Sequence, residues 1–389
     1  MGMYIGIGRK ARQCFGFDEI ALVPSILTIN PDEVDTSWEI AGLRFEVPII
    51  ASAMDGVVDV KFAAEFGRLG GFAVLNLEGV QTRYEDPSEV LERIAGADPE
   101  TSTHLIQTIY EEPLKKELIG KRIEEIKAQG APAVVSAIPQ RAAEFGLLAA
   151  EAGCDIFVVQ STVATVQHES TAYDTLDFAA FIEEMHRHRV PVIVGNTCTY
   201  EVTYELMEAG ADAVLVGIGP GAACTTRGVL GIGVPQVTTT VDTAYARDRF
   251  YKMTGRYVPI ITDGGMRVGG DICKAIAAGA DAVMIGSPFA KAFEAPGRGF
   301  HWGMATPHAN LPRGTRIRVG QSATLEQVLF GPAQLDDGSQ NLMGALRTSM
   351  GNLGAHCIRE MQNVEIIIAP SIKTEGKVEQ KAQRIGMAK

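Results

Sequence analysis

One phrase occurs three times in this chain: "AEAGCDIFVVQ" at 150–160, "MEAGADAVLVG" at 207–217 and "IAAGADAVMIG" at 276–286. In each, a helix-compatible stretch stops at Gly, which can close a helix in the left-handed conformation without a steric penalty. A tight turn and an uninterrupted apolar run follow. Such a run predicts a strand buried on both faces, as in a parallel sheet covered by helices. Further runs of this kind lie at 47–54, 71–78, 104–110, 131–138, 190–196 and 257–265, and amphipathic helix patterns such as "KKELIGKRIEEIKAQG" (115–130) and "LDFAAFIEEMHRHR" (176–189) fall between them. Roughly eight strand–helix units in about 250 residues predict the α/β class and a (β/α)₈ TIM barrel. No GxGxxG follows an early strand, so a doubly wound dinucleotide-binding sheet lacks its fingerprint.

A barrel of this kind places its chemistry where strands end and βα loops begin. The polar, Gly-rich stretches fall at those points: "SAMDG" (52–56), "GNTCT" (195–199), "GIGPGAACTT" (217–226), "TDGGM" (262–266) and "IGSPF" (285–289). The whole chain, 1–389, reads as one catalytic barrel domain with a flap-like loop or short hairpin near 297–320. A C-terminal helix over "SQNLMGALRTSMGNLGAHCIREMQ" and a polar tail occupy 338–389.

A formal net charge of −12 lacks the clustered cations that phosphate-backbone binding needs, so no nucleic-acid partner is expected and a small molecule is the default ligand. No apolar run approaches the roughly 20 residues of a membrane span, and the N-terminus has no leader-like apolar core. The expected location is the cytoplasm, with no membrane partner. The six cysteines stand singly, without CxxC or zinc-finger spacing.

Cys224 differs from the rest. It lies in a Gly-rich loop beside Thr225 and Thr226, with Gly219, Pro220 and Gly221 bending the backbone. Such a thiol is a nucleophile where amides or cations favour the thiolate, or an inert packing residue where the surroundings are apolar. Cys14, Cys154, Cys198, Cys273 and Cys357 occupy helical or strand-like patterns and read as packing residues. The loops "ITDGGMRVGG" and "VMIGSPF" follow the last two strands, where barrels commonly bind phosphate and a hydroxyl such as Ser287 can donate. Asp263, beside Gly264 and Gly265, can accept two hydrogen bonds from a ribose diol.

"GIGPGAACTTRG" with "GVPQ", "ITDGGM" with "AAGADAVMIGSPFA", "FEAPG", and the early "FDEIALVP" and "IIASAMDGVVD" together resemble the IMP dehydrogenase and GMP reductase family. The resemblance runs from about residue 15 to the end. It implies a (β/α)₈ barrel, usually tetrameric, in which a loop cysteine attacks C2 of a purine nucleotide and hydride passes between that carbon and a nicotinamide. Carried over by position, Cys224 is the nucleophile and Thr226 the hydroxyl near the entering or leaving group. Asp263 is the ribose ligand; Ser52, Gly265, Gly286 and Ser287 surround the phosphate; Gly303 and Met304 read the purine. Ser161, Asn196 and Gly217 fall on the cofactor side. The carbonyls of Gly219, Gly221 and Cys224 match a monovalent-cation loop, K⁺ by implication, which Glu375 and Gly376 of a neighbouring subunit would complete.

Family members run this chemistry in two directions. The dehydrogenase hydrolyses the adduct with an Arg-Tyr pair on a long flap, whereas only "ATPHANLPR" separates Met304 from Gly314 here, and the paired CBS domains are absent. The resemblance therefore implies GMP reductase, converting GMP to IMP and ammonia with NADPH, in a homotetramer or higher assembly. The alternatives are IMP dehydrogenase using NAD, or a non-catalytic nucleotide-binding member. The chain departs from the family pattern at Gln160 for an Asp, Leu215 for a basic residue, Arg313 for an acid or amide at the purine edge, and Pro307-His308 where a Glu would partner the Thr.

Overall fold

The computed structural model describes residues 2–172, 174–303, 313–372 and 374–386. Its centre is a closed barrel of eight parallel strands: β1 Ile49–Ala51, β2 Phe72–Asn76, β3 Val134–Ala137, β4 Ile156–Gln160, β5 Val192–Thr197, β6 Ala213–Val216, β7 Ile260–Asp263 and β8 Ala282–Ile285. Each strand pairs with its successor, and β8 returns to β1 with Met284 opposite Ile50. Helices α1 Val60–Arg68, α2 Glu117–Lys127, α3 Pro139–Glu151, α4 Phe178–Arg187, α5 Tyr200–Glu208, α6 Gln236–Thr254, α7 Gly269–Ala277 and α8 Leu342–Asn352 surround it as a (β/α)₈ TIM barrel.

Local chemistry sets these boundaries. Asp59, Asp177 and Thr199 cap α1, α4 and α5 by accepting from backbone amides three residues on, which satisfies donors that a helix start leaves free. In the three repeated phrases, Gly153, Gly210 and Gly279 take φ of 79°, 108° and 118°, a region that a side chain rarely tolerates. Each helix thus reverses directly into a strand.

Alternation along the strands divides the core in two. Ile50, Val74, Val134, Val158, Ile193, Leu215, Ile261 and Met284 belong to the cluster that fills the barrel, while their neighbours pack beneath the helices. The barrel cluster also includes Trp38, Ile40 and Phe45 of an antiparallel hairpin, Trp38–Ile40 with Leu43–Phe45. Its rings pack on Phe72, the first residue of β2, with centroids 4.7 Å (Phe45) and 6.0 Å (Trp38) away. The hairpin therefore seals the N-terminal end, leaving the opposite end open to ligand.

The run at 104–110 is not a strand. It is the end of a helix, Pro99–Ile109, started by Pro at its first position. Ser102, Ile106, Ile109 and Tyr110 are buried, a three-to-four-residue rhythm that a seven-residue window mistakes for a continuous run. With the preceding helix Ser88–Gly96 it forms an insert between β2 and α2, packed on Val80 and Trp302. The C-terminal helix is likewise interrupted: α8 ends at Asn352, the chain turns at Gly354 (φ 69°), and a short helix Ile358–Met361 follows. In the flap region, Phe300–His301 pairs antiparallel with Ile317–Arg318. Among the described residues, no helix is long and apolar enough to cross a membrane.

Candidate active site

A cavity of about 740 Å³ opens at the C-terminal end of the barrel. It is lined by Ser52, Ser161, Asn196, Gly217, Gly219, Gly221, Cys224, Thr226, Asp263, Gly265, Gly286, Ser287 and Gly303. These positions, singled out from the sequence for catalysis, substrate, cofactor and cation, therefore meet in one space, although most of them leave six different strands. Met304, Pro307 and His308 lie outside the described residues.

Cys224 is exposed to this cavity, whereas Cys154 and Cys273 are buried and Cys14, Cys198 and Cys357 half-buried. Burial pushes the thiols of Cys154 and Cys273 up to about 12 and 11, so they are poor nucleophiles at neutral pH. The Cys224 thiol donates to Thr226 Oγ1 at 3.2 Å. Thr226 begins a short helix, Thr226–Leu230, and is 3% exposed, so its hydroxyl is fixed beside the sulfur. The loop reaches this position through Gly217, at φ 134°; a Cβ there would lie 2.4 Å from Gln236 Nε2 and 2.6 Å from the Asp263 carbonyl oxygen. Gln236 instead donates to the carbonyls of Val216 (2.9 Å) and Asp263 (3.1 Å), tying β6 to β7.

Asp263, the last residue of β7, accepts at Oδ2 from Asn196 Nδ2 (2.8 Å) and Gln160 Nε2 (3.1 Å). Removal from bulk water raises its carboxyl to about 6, against the two donated hydrogen bonds. Asn196 and Gln160 are themselves joined at 3.1 Å. Gln160 is thus part of the carboxylate's cradle, and the amide of Asn196 is engaged by the same carboxylate. Ser161 turns its hydroxyl to its own loop, donating to the Val163 carbonyl at 2.8 Å. Leu215 is fully buried inside the barrel.

On the other side, Ser287 Oγ and His301 Nε2 are 2.9 Å apart. Burial depresses the His301 imidazole to about 4, so the ring is neutral at physiological pH. Gly219, Gly221 and Cys224 share one loop, in which the Gly221 carbonyl accepts from the Cys224 amide at 3.0 Å. Glu375 is exposed and does not line the cavity.

Several lining residues have no counterpart among the positions singled out above: Asp55, Glu78, Arg83, Tyr110, Arg141 and His301. Asp55 is 1% exposed, and burial raises its carboxyl to about 6. Glu78 pairs with Arg141 at 3.0 Å, and burial raises its carboxyl. Arg313 also lines the cavity. Its guanidinium makes no hydrogen bond among the described residues, and burial lowers its pKa, opposed by Glu78. Asp55 carried a signal, an acid in the strand-end "SAMDG"; Tyr110 and Arg83 carried none, since their positions depend on an insert whose helices were not foreseen.

Residues 14–381 match the family model described as IMP dehydrogenase / GMP reductase domain. An "Uncharacterized oxidoreductase" of Mycolicibacterium smegmatis is 38% identical over 373 residues, covering 94% of this chain and 99% of the relative. An inosine-5'-monophosphate dehydrogenase of Cryptosporidium parvum is 31% identical over 386 residues, covering 89% of each. A solved IMP dehydrogenase/GMP reductase-like protein from Corynebacterium glutamicum superposes with a TM-score of 0.88 at 34% identity, covering 94% of this chain and 97% of that one. With a thiol, a buried hydroxyl and a cradled carboxylate gathered at the open end of a TIM barrel, the chain belongs to the IMP dehydrogenase / GMP reductase family of oxidoreductases.

Proposed function

We propose that this protein is a cytoplasmic, NADPH-dependent GMP reductase that removes the C2 amine of GMP to give IMP. The observation that carries the direction is how the chain is anchored just beyond the purine loop. Gln107 Nε2 donates to the Arg313 carbonyl at 3.0 Å. Arg316 donates to the carbonyls of Ile94, Ala95 (3.2 Å) and Ala97 (2.6 Å) and lies over the Phe300 ring. Only nine residues, without an Arg-Tyr pair, separate Met304 from Gly314 in the sequence, too few for a long flap there to deliver a water after the cofactor departs.

In the proposed reaction, Asp263 accepts the ribose hydroxyls, while Ser52, Gly265, Gly286 and Ser287 receive the phosphate. Cys224 Sγ adds to C2, and the amine leaves as ammonia. With the thiolate form, the Thr226 hydroxyl reverses its hydrogen bond and donates to sulfur, stabilising the charge at 3.2 Å. Ser161, Asn196 and Gly217 would hold the nicotinamide, which would provide the hydride that C2 takes up as the C2–S bond breaks and Cys224 is restored. The balance is GMP + NADPH + H⁺ to IMP + NADP⁺ + NH₃. K⁺ would rest on the carbonyls of Gly219, Gly221 and Cys224, with Glu375 and Gly376 of a neighbour in a homotetramer.

Arg313 favours a second substrate. A guanidinium that makes no hydrogen bond among the described residues suits a purine bearing oxygen at C2, and XMP reaches the same adduct by losing water, with the balance XMP + NADPH + H⁺ to IMP + NADP⁺ + H₂O. The test is to follow reduced-cofactor absorbance and nucleotide products with GMP plus NADPH, XMP plus NADPH, and IMP plus NAD. Oxidation of NADPH by GMP with IMP formation supports the first reading, and NADPH oxidation by XMP alone supports the second. Sustained XMP formation from IMP returns the protein to the dehydrogenase direction. Silence in all three makes it a nucleotide-binding member without turnover.

A further inference from the structure

The insert between β2 and α2 reaches the cavity through Tyr110, which is joined to two other buried side chains. Trp302 is 0% exposed, Tyr110 4% and Asp55 1%. The Trp302 indole Nε1–H donates to the Tyr110 hydroxyl at 2.9 Å, and that hydroxyl in turn donates to Asp55 Oδ2. The same oxygen accepts from the Val80 amide at 2.9 Å. Asp55 follows β1, Tyr110 ends the insert, and Trp302 immediately precedes Gly303 of the purine loop, so the relay joins three parts of the chain that are remote in sequence.

Trp302 sits in a segment held from both sides. Its neighbour His301 faces the other way, toward Ser287 at 2.9 Å. Phe300 pairs with Arg318 just before them. The backbone leading to Gly303 is therefore located by two side-chain bonds, one from the loop after β8 and one from the insert. The second has no substitute: indole carries a single N–H, and among the described residues the Trp302 side chain makes no other hydrogen bond. Packing alone can slide; a directional hydrogen bond between buried groups resists sliding, because breaking it strands a donor away from water.

We propose that Tyr110 is a positioning residue for the nucleotide: by linking Trp302 to Asp55 it sets the place of Gly303 and hence the fit of the purine. This rests on the assignment of the 303 loop to the purine. The insert is then part of the substrate site rather than an ornament on the barrel, and loss of a single hydroxyl from it is felt as affinity.

The experiment is Tyr110→Phe, which keeps the ring and deletes only the hydroxyl. IMP is the probe, because it is the nucleotide common to every direction of the chemistry. Its Kd is measured by calorimetry on the full chain, and the Trp302 emission is recorded in a Trp38→Phe background, where it is the one remaining tryptophan of two. The Kd is expected to rise about tenfold, with the emission shifted and its response to IMP reduced. A merely structural role would lower the melting temperature and the active fraction but leave the Kd of the folded protein unchanged. A Kd within about twofold of wild type overturns the proposal, whatever happens to stability. Wild-type protein that binds no IMP overturns the purine reading itself, and this inference with it; binding by wild type with no loss in the variant overturns this inference alone.

Discussion

Replacing Asp263 by asparagine should make the empty protein more stable while weakening nucleotide binding. The carboxylate is held at the end of β7 with Oδ2 accepting from Asn196 and Gln160, and burial raises it from the ordinary 3.8 to about 6. At neutral pH the folded protein therefore holds an ionised group in a place that favours the neutral one. At about 1.36 kcal/mol per pH unit, that rise corresponds to an upper value of about 3 kcal/mol. Asp263 faces the cavity, and water there reduces the realised cost to about 1–2 kcal/mol. The carbonyl of the introduced amide can still accept both donors and carries no charge. For a chain of 389 residues the unfolding entropy is about 0.8 kcal/mol/K, so the gain is about 1–3 °C in melting temperature at pH 8. Because the folded pKa lies above the unfolded one, the penalty is fully present above about 6, shrinks as pH falls, and is gone below the unfolded value of 3.8. The two proteins should converge in stability over that window. Thermal melts at pH 8, 6 and 4, with IMP calorimetry at pH 8, measure both effects. A variant no more stable than wild type at pH 8, with IMP affinity intact, would refute the reasoning.

Other perturbations give separate outcomes. Thr226→Val preserves shape but removes the hydroxyl beside Cys224, and kcat should fall by about a hundredfold, with the KM for nucleotide changed far less, in steady-state assays. Trp38→Ala empties the plug of the barrel and should cost about 3–5 kcal/mol in urea unfolding; a loss below about 1 kcal/mol would mean the hairpin does not seal the core. Arg247→Met leaves Asp281 buried without the guanidinium that meets it at 2.8 Å, and should destabilise by about 3–5 kcal/mol in the same measurement.

The barrel was legible in the sequence because its signal is local and repeated. Each "AG-D" phrase carries its own helix stop, left-handed glycine and buried strand, so three of the eight units can be recognised from within. The loop residues Cys224, Asp263 and Ser287 were legible because strand ends and glycines mark them. The plug was not: Trp38–Phe45 is a short hairpin turning at Ala41 (φ 47°) and Gly42 (φ 83°), and an alanine in that region gives no turn signal. The insert failed for a related reason, since Ile106, Ile109 and Tyr110 fit a strand or one helical face equally well over so few residues. Gln160 appeared only as a departure from family pattern; its role as a donor to Asp263 depends on β4, β5 and β7 converging, which no window of sequence contains. The relay from Asp55 to Trp302 is the extreme case, because its members are 55 and 192 residues apart.

Whether Cys224 bonds to a purine nucleotide is tested most directly by acid-quenching the enzyme during turnover with GMP and NADPH, and with IMP and NAD, and mapping its peptides by mass spectrometry. A nucleotide mass carried on the peptide containing Cys224 in at least one mixture, absent in Cys224→Ala together with turnover down by at least about a thousandfold, is the predicted result. Turnover that persists in Cys224→Ala, or a nucleotide found on any other cysteine, would contradict it.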